Sequence, residues 1–164
     1  MPSRKSLLVF GIADRLCALP LEDVQEIVLM SWLSRPPGMP SILEGLLNLR
    51  GTAVPVISLG RMFRLPEKPV ELYSSLVILR GHDHLLALLV DHVSQVLSVS
   101  VETLMPVRGE HSFNNCTQAE VAMAGRVVHV LSPERLLIEK EQQCLREFQG
   151  IEQQRLQELE AQPT

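Results

Sequence analysis

The sequence is poor in the residues on which many binding chemistries depend. It contains three cysteines, one tryptophan, one tyrosine and four phenylalanines in 164 residues. Three scattered cysteines argue against a disulfide framework or a four-ligand metal site, and they favour a reducing cytoplasm. A net charge of −4, with no basic block and few aromatic side chains, argues against nucleic-acid binding.

Long apolar runs are also missing. No stretch approaches the roughly 20 apolar residues that a membrane-spanning helix needs, so we expect no direct insertion into a membrane. The first residues, Met-Pro-Ser-Arg-Lys-Ser, precede no apolar core of a signal peptide. We therefore predict a cytoplasmic protein.

The motifs of common enzyme classes are absent as well. The sequence has no Gly-x-Ser-x-Gly, no phosphate-binding Gly-x-x-x-x-Gly-Lys-Ser/Thr and no His-Glu-x-x-His. We predict no catalytic residue, no cofactor and no metal. One enzymatic alternative is a small β-barrel with a metal site built from the turn at His82, Asp83 and His84, or from the polar loop 108–119. No third or fourth ligand has the spacing that such a site requires.

What the sequence does contain is a repeat of itself. One run of eight residues returns later in the same order: Gly51, Val54, Val56, Ile57, Ser58, Arg61, Met62 and Phe63 correspond to Gly125, Val128, Val130, Leu131, Ser132, Arg135, Leu136 and Leu137. A repeat at long, fixed spacing indicates one structural unit used twice. We predict a domain over residues 1–138 with two similar lobes, at about 6–65 and 74–138.

The local pattern predicts an all-β domain followed by a C-terminal helix. Short apolar runs bounded by turn residues predict strands at 7–10, 16–19, 24–28, 46–49, 53–57, 76–79, 85–90, 93–99 and 127–131, arranged as small barrels or a sandwich. Ser58 and Ser132 are predicted to cap short helical turns. The Gln- and Glu-rich tail, 139–164, predicts a helix that Gly150 weakens. It is either solvated or covered by a partner helix on Leu145 and Phe148.

Two charged residues stand at the borders of apolar segments. Asn48-Leu49-Arg50-Gly51 has the residue preferences of a type I turn, which would put Arg50 at an exposed corner. Glu26 lies in the strand at 24–28. The two side chains are either ordinary solvated charges or a pair that faces a partner.

Four segments together resemble the CheW family of chemotaxis coupling proteins. They are residues 19–27 (Leu-Pro-Leu-Glu-Asp-Val-Gln-Glu-Ile), 45–57 with its Asn-Leu-Arg-Gly turn before Val-Pro-Val-Ile, 89–97 and 125–137. The resemblance implies two pseudo-repeated, five-stranded SH3-like barrels and a non-enzymatic adaptor. The implied partners are the cytoplasmic tips of chemoreceptors and the regulatory domain of the histidine kinase CheA.

The resemblance also implies a partner-binding site. Glu26 and Arg50 match the family's acid and arginine, and by that resemblance they pair at the partner-facing surface with Val24 beside them. Ser58 and Ser132 depart from the family, which commonly has an acid at both positions. A decoy, or a specialised CheW-like adaptor for a pathway other than motility, is an alternative that the sequence does not separate from a coupling protein.

Overall fold

The structure of the chain is a computed structural model that describes residues 3–66, 74–81, 84–107, 116–137 and 139–161. The strands in these ranges are β1 (Arg4–Ile12), β2 (Arg15–Pro20), β3 (Val24–Leu29), β4 (Leu43–Leu49), β5 (Thr52–Ser58), β6 (Ser75–Leu79), β7 (Leu86–Val90), β8 (His92–Ser100), β9 (Met105–Pro106), β10 (Thr117–Met123) and β11 (Arg126–Leu131). The helices are α1 (Leu59–Met62) and α2 (Glu139–Ala161). The predicted class, all-β with a C-terminal helix, is confirmed.

The strands form two sheets that have the same internal order. The six-stranded sheet runs β8-β1-β2-β11-β10-β9, and the five-stranded sheet runs β3-β6-β7-β5-β4. In both, the first strand of one sequence copy pairs with the third strand of the other copy. In both, the second strand of one copy lies parallel to the last strand of the other, as β2 does with β11 and β7 with β5.

The two sequence copies therefore exchange strands. The six-stranded sheet takes β1 and β2 from the first copy, and the five-stranded sheet takes β6 and β7 from the second. The limits 6–65 and 74–138 consequently describe copies of the sequence, and each sheet contains strands from both. The sixth strand, where the resemblance implied five, is β9, which has only two residues.

The apolar residues divide into one cluster inside each sheet and a third that joins the sheets. In β1, Leu7 and Val9 belong to the cluster of the six-stranded sheet, while Leu8 and Phe10 belong to the joining cluster. Strand β6 divides its residues in the same way between the five-stranded sheet and the joining cluster. Alternate residues of a strand point to opposite faces, so β1 and β6 are buried on both sides. This shared core packs the two sheets against each other.

Strand β10 was not predicted. The prediction of a loop at 108–119 is wrong for its last three residues. Residues 117–119 begin β10, which pairs with both β11 and β9. Only Ala119 and Val121 of this strand are buried, between Thr, Gln and Glu residues, so its alternation is too weak to recognise as a strand. Residues 108–115 lie outside the described residues.

The two predicted serine caps have different outcomes. Ser58 Oγ accepts a hydrogen bond from the backbone N–H of Arg61 at 3.3 Å, as predicted. Ser132 makes no such bond, and that prediction is wrong. The residues after it form a single 3₁₀ turn, Pro133–Arg135, in which the Arg135 N–H already donates to the backbone oxygen of Ser132 at 3.1 Å.

Helix α2 packs on its own chain. Leu145 is 4% exposed within the shared core, and Phe148 packs against that core. The prediction that a partner helix could cover these two residues is therefore wrong. The helix continues through Gly150 to Ala161. Among the described residues, no helix is both long and apolar enough to cross a membrane.

Candidate partner-binding site

The β4–β5 hairpin carries Arg50 on a tight two-residue turn. Leu49 pairs with Thr52, which leaves Arg50 and Gly51 at the centre of the turn. Their φ angles are 50° and 90°. Positive φ at both central residues defines a type I′ turn, whose twist matches that of the flanking strands. The predicted type I turn over residues 48–51 is therefore wrong in type and displaced by one residue.

Asn48, on which the predicted type I turn rested, is not part of the turn itself. Asn48 lies in β4, and its Oδ1 accepts a hydrogen bond from the backbone N–H of Gly51 at 2.8 Å. The Asn-x-x-Gly spacing thus reflects a hydrogen bond from the Gly51 backbone to the Asn48 side chain, which stabilises the hairpin. The predicted position of Arg50 is confirmed, because its side chain is 68% exposed at the tip.

The second copy has the same turn without the arginine. Ala124 and Gly125 join β10 and β11 with φ angles of 49° and 79°. A left-handed conformation costs a residue other than glycine about 1–2 kcal/mol, and the paired strands impose it in both hairpins. The turn conformation is therefore part of the duplicated scaffold, whereas an arginine at the first central position belongs to one copy; in the other copy Arg126 closes the turn.

Glu26 meets Arg50 from strand β3. The pairing of β3 with β6 shifts register between Val24 and Glu26, which is the mark of a β-bulge. Bulges redirect side chains locally. Arg50 Nη2 donates to Glu26 Oε2 at 2.8 Å, and Glu26 is 29% exposed. This hydrogen bond is the main reason why the pKa of Glu26 is lowered and that of Arg50 is raised.

The third predicted site residue lies deeper. Val24 is 9% exposed and belongs to the shared core. The structure brings Glu26 and Arg50 together but does not put the Val24 side chain on the surface beside them.

Exposed apolar side chains accompany Glu26 along the same part of the chain. Ile27 and Leu29 in β3 are 44% and 68% exposed, and Trp32, shortly after that strand, is 81% exposed. Large apolar side chains left in solvent are typical of interaction sites, and tryptophan is enriched at their energetic centres. The sequence pattern predicts Ile27 only as a strand residue and does not single out Trp32. The single tryptophan of the chain, next to a proline-rich segment, was the available signal.

The structure offers little chemistry for the enzymatic alternative. No group of three His, Cys, Asp or Glu side chains within the described ranges could hold a metal ion. His82, Asp83 and residues 108–115 of the proposed metal site lie outside those ranges. Burial raises the pKa of the Cys17 thiol to about 12, so this thiol stays protonated and is a poor nucleophile.

A family model described as the CheW-like domain matches residues 6–141. The chain belongs to the CheW-like family. Chemotaxis proteins named CheW are similar to it: the chain is 31% identical to the one from Treponema pallidum over 100 residues, which are 58% of this chain and 59% of that protein. Against the one from Helicobacter pylori the identity is 28% over 129 residues, 78% of each chain.

A solved structure has the same fold. The scaffolding protein TtCheW from Thermoanaerobacter tengcongensis superposes with a TM-score of 0.78 at 23% identity, over 86% of this chain and 92% of that one. The resemblance inferred from the four sequence segments is thus confirmed. Coupling proteins of this family are adaptors rather than enzymes, which agrees with the missing catalytic motifs. The family match ends at residue 141, so nearly all of α2 lies beyond it.

Proposed function

We propose that this chain is a cytoplasmic, non-enzymatic adaptor that couples chemoreceptors to the histidine kinase CheA. Membership in the CheW-like family supports the class of function. The observation that carries the proposal is the asymmetry between two like turns: only the first copy has an arginine at a central position of the turn, where Glu26 holds it.

The Arg50–Glu26 pair suits recognition of another protein. The hydrogen bond to Glu26 uses Nη2, and a guanidinium has five N–H donors in a fixed planar fork. The exposed side chain can therefore contact carboxylate or carbonyl oxygens of a partner while Glu26 limits its rotation. A preorganised side chain loses less conformational entropy on binding than a free one.

We assign the regulatory domain of CheA and the cytoplasmic tip of a chemoreceptor as the two partners. An adaptor that binds both contributes a coupling free energy, so that a change in one partner alters the other without a chemical step. The two sheets packed on a shared core provide one scaffold for both contacts. Glu26 and Arg50, supported by Val24, form the site that we propose for at least one of them.

A charge reversal with a matched control tests the site. Arg50→Glu places a second carboxylate beside Glu26 and is expected to abolish capture of the CheA regulatory domain or of the receptor fragment. Ala124→Glu puts the same residue on the equivalent turn of the second copy and is expected to leave both interactions intact. Both turns are exposed, so the thermal melts should stay close to that of the unaltered protein. Unchanged capture by Arg50→Glu would refute the site.

A further inference from the structure

Near the Arg50 turn, strand β5 has a backbone edge that no strand of the described residues covers. Its parallel pairing with β7 covers only Val56, Ile57 and Ser58. Backbone groups alternate in direction along a strand, and Ala53, next to the hairpin-closing residue Thr52, directs its N–H away from β4. The N–H of Ala53 and the C=O of Gly51 therefore need partners other than a neighbouring strand.

Helix α2 supplies both partners with one side chain. Gln153 Oε1 accepts a hydrogen bond from the Ala53 N–H at 2.8 Å, and Gln153 Nε2 donates to the Gly51 oxygen at 2.9 Å. A primary amide carries one acceptor and one donor group in the arrangement of a peptide. Gln153 thus takes the place of a strand on the part of β5 that precedes its pairing with β7.

Two further distances show that α2 lies close to the first-copy hairpin and to the residues around it. Ser34 Oγ lies 3.2 Å from Glu152 Oε2, and Ser34 also bridges to Leu46 of β4. A methyl group on Gly51 would lie 3.1 Å from Glu160 Oε1. The helix is held in place from its other end by Leu145 in the shared core.

Among the described residues, the turn of the second copy has no equivalent support from α2. A methyl group on Gly125 would meet no atom of the described residues within 4 Å. The two turns share their backbone conformation, so the turn does not require a helix beside it in order to form. The helix accompanies only the turn that carries the arginine.

We propose that α2, through Gln153, is a positioning element of the partner site. By fixing Gly51 and Ala53 it holds the backbone that aims Arg50 at Glu26 and at the partner. This inference rests on the proposed function of Arg50. It adds a role for a helix that lies almost entirely beyond the family match.

The test compares two neighbouring glutamines. Gln153→Ala removes both hydrogen bonds, whereas Gln154→Ala makes the same change at an exposed position of the same helix. Losing hydrogen bonds of ordinary strength predicts that Gln153→Ala weakens binding of the purified CheA regulatory domain or receptor fragment by about 3- to 10-fold. Hydrogen exchange at the Ala53 amide should accelerate by a similar or larger factor. Gln154→Ala should change neither quantity.

A double-mutant cycle separates positioning from general stability. On an Arg50→Ala background, Gln153→Ala should cause no further loss of affinity, because the side chain that it positions is gone. An equal loss on that background, or accelerated Ala53 exchange with unchanged binding, would overturn the positioning role. Failure of the proposed function has a different signature: Arg50→Ala alone would leave binding unchanged, while Ala53 exchange would still respond to Gln153→Ala.

Discussion

Gly150 lies between the two anchoring points of α2 and gives a quantitative test of how the helix is held. Leu145 anchors the helix in the shared core and Gln153 anchors it on β5, with this exposed glycine between them. A methyl group added at Gly150 would meet no described atom within 4 Å. Replacing a helical glycine with alanine removes a penalty of about 1 kcal/mol. Gly150→Ala should therefore raise the free energy of unfolding by about that amount.

The expected change is large enough to measure. For a chain of this size, about 1 kcal/mol corresponds to a rise in Tm of roughly 2–4 °C. Scanning calorimetry and urea denaturation report the two quantities independently. If α2 detaches before the sheets unfold, the gain would appear only in helix-specific probes such as exchange of the α2 amides.

Gly38 provides the matched control. It also has no described atom within 4 Å of an added methyl group, but its φ is 84°. Gly38→Ala should therefore lower the free energy of unfolding by about 1 kcal/mol, since alanine is strained in that conformation. The same chemical change should thus have opposite signs at two equally open positions. If Gly150→Ala stabilises neither global unfolding nor the α2 amides against exchange, α2 is not a continuous helix anchored at two points.

Two other predictions concern charged groups. The pKa of Glu26 is lowered from its ordinary 4.5, chiefly by the hydrogen bond from Arg50. The pair therefore stabilises the folded protein at a pH above the ordinary pKa, and this stabilisation is lost as the pH falls through the lowered pKa. An NMR titration should find the Glu26 carboxyl titrating below 4.5 in the unaltered protein and closer to 4.5 in Arg50→Ala; an unmoved midpoint would contradict the pairing. Glu44, 6% exposed, meets Arg61 at 3.0 Å and Arg35 at 3.6 Å. Glu44→Ala removes both ion pairs, but Arg35 and Arg61 keep hydrogen bonds to backbone oxygens. Since both guanidinium groups are more than a third exposed, the loss of unfolding free energy, measured in urea, should be about 1 kcal/mol, and a loss of about 3 kcal/mol would mean that the cluster behaves as a buried ion pair.

The strands and the repeat could be predicted because both depend on local pattern. Apolar alternation and β-branched residues mark β1, β5 and β11 whatever their neighbours are. The exchange of strands between copies could not be predicted this way. β3 and β8 have similar sequences, so the apolar pattern of β1 suits pairing with either of them. Tertiary packing, in which β1 and β6 are buried on both faces, selects the exchanged arrangement.

The candidate site was predictable in part for the same reason. Arg50 and Glu26 stood out as charges beside apolar strands, and the structure pairs them. Gln153 carried no signal, because it is one polar residue in a polar helix. Its importance depends on the uncovered edge of β5, which exists only because β7 begins pairing at Val56. Trp32 was missed because it lies outside every predicted strand and helix.

Reconstituted kinase activity measures directly whether the chain couples receptor to kinase through the Arg50 turn. CheA autophosphorylation is measured with receptor-containing membranes, with and without the purified chain, and with Arg50→Glu or Ala124→Glu in its place. We expect receptor-dependent activity with the unaltered chain and with Ala124→Glu, and its loss with Arg50→Glu. Equal activity with Arg50→Glu would contradict the assignment of the site. Kinase binding by the unaltered chain without receptor-dependent activity would contradict coupling and indicate a decoy.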